Sequence, residues 1–163
     1  MLRGHISVAL AFCLILLTGC RTQPPAGAER TGSKGSTRDL AIDEARGGHT
    51  LARHVGRTDE QLRERLRQEP NISAASSYTD RRAAERAVGT AIQSGQDKIQ
   101  RWMERGSRRP NLVLEYTEPN DALGREMHRR ALGSVPCDHS IVVLKADGAT
   151  EFYVLTSYPE CRP

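Results

Sequence analysis

Residues 47–62 run Gly-Gly-His-Thr-Leu-Ala-Arg-His-Val-Gly-Arg-Thr-Asp-Glu-Gln-Leu. The glycines at 47 and 48 interrupt a short helix that Asp39-Leu40-Ala41-Ile42-Asp43-Glu44-Ala45 can start. Thr50 to Val55 resumes as a helical turn or two. Gly56 is its expected stop, because glycine enters left-handed backbone without steric cost. Thr58-Asp59-Glu60-Gln61 then forms a capping box: the threonine side chain caps and the glutamine reaches back. The helix it opens carries Leu62 and Leu66 on one face and ends near Pro70.

Downstream, Ile72 to Tyr78 reads as a short strand, and Thr79 is placed to cap a helix over Asp80–Ser94. Ala83, Ala84, Ala87, Val88, Ala91 and Ile92 recur at helical spacing and predict its buried face. Gly95 breaks it. Ile99, Trp102 and Met103 mark the core side of a further helix, which stops at Gly106. Leu112 to Tyr116 is a strand, and residues 117–138 read as a loop. Ser140 to Lys145, the turn Ala146-Asp147-Gly148 and Glu151 to Tyr158 predict a hairpin. No internal repeat is present. The order predicts an α+β domain with N-terminal helices packed on an antiparallel sheet.

Upstream the character changes. Arg3 precedes an apolar run, Ile6 to Leu17, that is too short to span a bilayer, which takes about 20 residues. It fits the central region of an export signal. The run ends in Leu17-Thr18-Gly19-Cys20, which resembles the lipobox of bacterial lipoproteins. The resemblance implies removal of residues 1–19 and a lipid on Cys20, the new N-terminus, which would tie the chain to a membrane. Arg21 replaces the aspartate that retains such proteins at the inner membrane of enteric bacteria. The expected location is therefore the cell envelope, lipid-anchored at the outer membrane and facing the periplasm or the surface. Cys20 and residues 21–37, small, polar and rich in Pro and Gly, read as a flexible tether. Residues 38–163 form the single expected domain.

The chain has a net charge of +4. Its only lysines are Lys34, Lys98 and Lys145, so its positive charge is almost all arginine. Guanidinium forks match phosphate geometry, and a basic surface attracts nucleic acid. The plainer reading of that excess is a GC-rich genome, which inflates arginine, so charge adds little by itself. Cys137 and Cys161 bracket the last hairpin, and export to an oxidising compartment favours a disulfide between them over two free buried thiols. No Cys/His spacing resembles a zinc site, and neither metal nor cofactor is expected.

Five residues stand out as candidates for chemistry: His49 and His54 in the glycine-flanked run, Arg65 on the next helix, and Thr156 and Tyr158 on the last strand. The last two share a face because strand side chains alternate. Three motifs carry a resemblance to a known family. The run 47–62 is similar to the opening motif of the bacterial RNase A-like toxin domain found at the C-termini of contact-dependent growth inhibition proteins of the CdiA type. Ala74-Ala75-Ser76-Ser77-Tyr78-Thr79-Asp80 with Ala84-Glu85-Arg86-Ala87 resembles its middle motif. Val154-Leu155-Thr156-Ser157-Tyr158-Pro159 resembles its end. The resemblance spans about residues 40–160. It implies an RNase A-like fold of the group that includes the barnase, EndoU and RelE type ribonucleases. It also implies metal-independent cleavage of RNA, tRNA or other single-stranded RNA, and a possible immunity-protein partner. Its functional histidine, arginine, threonine and tyrosine map to His54, Arg65, Thr156 and Tyr158, with His49 the alternative histidine.

The residue types suit that chemistry. Metal-free RNA cleavage uses the ribose 2′-OH as nucleophile, with a histidine as base. Arg65 can bind the crowded phosphate, and Thr156 can hydrogen-bond one of its oxygens or a base edge. Tyr158 can stack on a base or protonate the leaving oxygen, whereas DNA, lacking the 2′-OH, escapes. Each residue also has a structural reading. The histidines can bond within the glycine-rich turn, and Arg65 can pair with Glu69 one helical turn on. His128 and His139 fall outside the motifs and read as structural or surface residues. The rival function is a catalytically inactive envelope lipoprotein of the same fold that binds a protein partner.

Overall fold

In the computed structural model, residues 36–106 and 109–162 are described. The expected export signal, Cys20 and the expected tether up to residue 35 lie outside the described residues. Among those described, no helix is long and apolar enough to cross a membrane.

Three short helices open the domain: α1 (Leu40–Ala45), α2 (Thr50–His54) and α3 (Asp59–Gln68). Strand β1 (Ala74–Tyr78) follows, then α4 (Arg81–Ser94), α5 (Gln96–Met103) and β2 (Leu112–Thr117). The chain closes with β3 (Gly124–His128), β4 (Val135–Cys137), β5 (His139–Asp147) and β6 (Glu151–Glu160). The α+β expectation holds, but the strands form two antiparallel sheets, ordered β1-β3-β4 and β2-β5-β6, rather than one.

Strands β3 and β4 occupy the stretch read as a loop. Gly-Arg-Glu-Met-His and Val-Pro-Cys lack apolar alternation, because one face of β3 carries Glu126 and His128 while Met127 alone enters a core. Pro136 cannot donate to a ladder, and it sits on β4, an edge strand where that is tolerated. The strand expected from Ile72 begins at Ala74. The cap of α4 is Asp80, whose carboxylate accepts from the Ala83 amide at 2.7 Å. Thr79, expected in that role, instead donates its hydroxyl to the Leu123 carbonyl at 3.3 Å. The capping box of α3 is present at both of its bonds, Thr58 with Gln61.

The main core lies between α4 and the β2-β5-β6 sheet. Small residues on α4 (Ala84, Ala87, Val88, Ala91) meet Leu114, Val142, Leu144 and Val154, with Trp102 at one side. A second, smaller core of Leu62, Leu66, Ala75 and Met127 seats α3 on the other sheet. A fully buried apolar side chain of this size contributes roughly 1.5–3 kcal/mol. The two sheets are joined in two ways. The Tyr78 hydroxyl on β1 shares a buried hydrogen-bond cluster with Ser140 on β5 and Ser157 on β6. The Cys137–Cys161 disulfide ties the end of β4 to the residue after β6. Cys137 precedes the hairpin, as expected, and is also the last residue of β4, so the bond that closes the hairpin's open end links the two sheets as well.

Candidate active site

Helix α2 is five residues long, too short to persist without tertiary support. Its support comes from both ends. At the N-terminal end, Gly47 turns the chain at a φ of +102°. Gly48 then passes so close to β6 that a Cβ there would lie 2.5 Å from the Val154 carbonyl and 2.9 Å from that of Asp43. The His49 amide donates to the Leu155 carbonyl at 3.0 Å. Buried Asp43 braces this junction, accepting from the Val154 amide at 2.9 Å and from Arg38 at 2.7 Å. At the C-terminal end, Val55 makes a parallel bridge with Tyr78, and the Gly56 amide donates to the Tyr78 carbonyl at 3.1 Å. The helix thus spans from β6 to β1, with His49 near one sheet and His54 near the other.

Strand β6 carries one residue more than its partner requires. Val143 pairs with Thr156 and Leu144 with Val154, leaving Leu155 without a partner. Such a bulge changes which residues share a face. Val154 points into the main core, while Thr156, Tyr158 and Glu160 line a cavity between the sheets. A strict two-residue period would have placed Val154 and Thr156 together.

The cavity measures about 440 Å³ and brings together all five sequence candidates: His49, His54, Arg65, Thr156 and Tyr158. Its remaining wall includes Ser76 and Glu126, which face each other across β1 and β3. His54 is only 7 % exposed. Its Nδ1 lies 3.2 Å from the Ser76 carbonyl, which can only accept, so Nδ1 carries the hydrogen and Nε2 keeps its lone pair. Its ring centroid lies 5.4 Å from that of Tyr158. Burial, then the charge of Arg65, pushes the His54 pKa down to about 3. His49 is lowered as well, by burial and then by Arg53. The Tyr158 hydroxyl is shifted upward by burial, then by Glu160 and Glu126. The site therefore holds neutral histidines and a protonated tyrosine at neutral pH.

Arg65 donates from Nε to Glu69 at 3.2 Å, the pair expected from their spacing. Its Nη1 is buried with no hydrogen-bond partner, and so is the Thr156 hydroxyl. An unpaired buried donor costs roughly 1–3 kcal/mol. Two of them in one cavity, one on a guanidinium, suit an incoming oxyanion. Sequence reasoning missed Glu126, which is 6 % exposed and whose carboxylate lies 2.9 Å from the His128 Nε2. Only its place on the cavity face of β3 marks it, and that strand was read as loop. His139, read as structural or surface, is buried beside Thr117, to whose hydroxyl its Nδ1 lies at 3.0 Å.

Residues 48–159 match the family described as the bacterial CdiA-CT RNAse A domain. A solved structure, the CdiA-CT/CdiI complex from Y. kristensenii 33638, is similar to this chain at 30% identity and a TM-score of 0.61. The alignment covers 69% of this chain and 99% of that one. Among curated proteins none matches.

Proposed function

The chain belongs to the bacterial CdiA-CT RNase A domain family, a family of ribonuclease toxins, and on that premise we propose that it cleaves single-stranded RNA without metal at the cavity between its two sheets. The observation that carries this reading is the unpaired Arg65 Nη1 and Thr156 hydroxyl beside a histidine with a free Nε2. A phosphodiester offers oxygens to both donors and its adjoining 2′-OH to the base.

In this reading His54 Nε2 takes the proton of the 2′-OH as that oxygen attacks phosphorus. Arg65 and Thr156 hold the non-bridging oxygens, where negative charge concentrates. The P–O5′ bond breaks and Tyr158 gives its proton to the departing oxygen, leaving a 2′,3′-cyclic phosphate. The proton on His54 then returns to the tyrosinate through solvent. A histidine of pKa about 3 is a weak base in the free protein. The phosphate supplies the correction: its charge favours the imidazolium and raises the pKa toward neutrality as substrate binds. His49, in the same cavity, is the second candidate for either proton transfer.

The purified protein should cleave tRNA or total RNA with EDTA present and leave DNA intact. His54→Ala should lower the rate by about 10²–10⁴-fold, the usual worth of a general base. Intact RNA after incubation with folded wild-type protein would defeat the reading and favour the inactive, protein-binding alternative.

Two further parts belong to the proposal. The solved relative is a complex with CdiI, and a small neutralising partner of that kind is proposed for this chain. The Leu17-Thr18-Gly19-Cys20 sequence supports a lipid on Cys20 and a location in the cell envelope. Palmitate labelling that persists in a Cys20→Ala variant would refute the lipid.

A further inference from the structure

The cavity of the candidate site does not end at its own rim. A second cavity, of about 450 Å³, adjoins it and shares Asn71, Ile72 and Ser73 as a common wall. Its far side is made by His128, Arg129 and Arg130. Arg129 is already engaged: it donates to the carbonyls of Leu66, Glu69 and Ile72, and so fixes the shared wall. Arg130 is exposed. The His128 side chain is 60 % exposed, and its Nε2 is held 2.9 Å from Glu126, the carboxylate that lines the first cavity. One ring is therefore anchored from the first cavity and presented in the second.

Cleavage of a phosphodiester requires two nucleotides, and a cavity of the first one's size takes one. The second needs a neighbouring site with an aromatic surface for a base and a cation for a phosphate. Resting on the ribonuclease reading, we propose that the second cavity binds the adjacent nucleotide of a single-stranded RNA, with His128 stacking on its base and Arg130 facing its phosphate. The other neighbouring cavity, which meets the first at Arg65, carries cations as well, Arg53 and Arg57, but Glu64 and Glu69 offset them and no ring lines it on which a base could stack. The strand accordingly leaves the site along the 71–73 wall. Glu126 acts here as a positioning residue for the His128 ring.

The test is binding of 2′-deoxy oligonucleotides, which the reaction cannot consume, to the full chain. Affinity should rise about tenfold from a 3′-phosphorylated mononucleotide to a dinucleotide, as stacking and one more phosphate contact are added. Arg130→Glu and His128→Ala should each remove most of that gain; Arg130 takes no part in the first cavity, so its variant should leave mononucleotide affinity unchanged, which also reports that it is folded. Arg130→Gln, a milder change, should lose a smaller part. Equal affinity for both lengths in the wild type, or a gain untouched by these variants, overturns the proposal. Failure of wild-type protein to bind even the mononucleotide overturns the ribonuclease reading, and the proposal with it.

Discussion

At the scale of single residues, the site is defined by groups that their surroundings hold uncharged. His54 is neutral because burial and Arg65 disfavour its charge, and Tyr158 keeps its proton for the corresponding reason of opposite sign. This fixes a pH dependence. A base titrating at its ordinary 6.5 would lose activity as pH falls through that value. Here the free-enzyme pKa is lower, so His54 stays unprotonated and kcat/KM should hold level through 6.5, falling only as pH nears about 3. In the complex the bound phosphate raises the pKa, so the acid limb of kcat should lie at higher pH than that of kcat/KM. Parallel pH profiles of the two constants on a short RNA check this; coincident limbs near 6.5 would contradict it. His54 was legible from the opening motif, Thr156 and Tyr158 from the closing one, and Arg65 from its place on the helix that follows the first; all four line one cavity. Glu126 was not legible, since nothing local distinguishes a charged residue facing a cavity from one facing water.

At the scale of elements, the histidines depend on a helix too short to hold itself. The glycine pair at 47 and 48 looked in the sequence like a simple interruption. In the structure it has two separate roles, one a left-handed turn and the other a close backbone approach. Gly48→Ala would drive a Cβ against the Val154 and Asp43 carbonyls, and the neighbours there are backbone that cannot swing aside. We expect a loss of about 1–3 kcal/mol in denaturant unfolding, of the order seen for overpacking. Activity should fall further than stability does, because the displaced segment carries His49. An alanine variant with wild-type unfolding and rate would show that α2 is not placed by this contact. The helices and the final hairpin were readable because their apolar periods are regular. Strands β3 and β4 were hidden because a strand with charged residues on one face and a proline in its partner has no period to read.

At the scale of the molecule, the site exists only where two sheets meet. Ser76 and Glu126 come from one, Thr156, Tyr158 and Glu160 from the other. The disulfide crosses that seam, so its contribution reaches the site as well as stability. It closes a segment of 24 residues, for which loop entropy gives about 3 kcal/mol. A Cys161→Ser variant should therefore unfold at lower denaturant by roughly that amount. It should also bind RNA more weakly, as the end of β6 loosens from β4. Unfolding curves of the variant and of the reduced wild type should agree; an unchanged midpoint would mean that α2 and the tyrosine–serine cluster hold the sheets together without the disulfide. The pairing itself could be anticipated from the sequence, but not what it joins, because β4 had not been seen.

The unpartnered residue of β6 bears on how chain length is read in this protein. Without Leu155, Val154 and Thr156 would be adjacent, and each would still pair as it does now. Every other side chain of the strand would keep its face. What would go is one carbonyl, the acceptor for the His49 amide. A gap of a single residue in an alignment at 155 is therefore not a shift of register. It marks a chain whose last strand is intact and whose histidine-bearing helix has lost its tie to that strand.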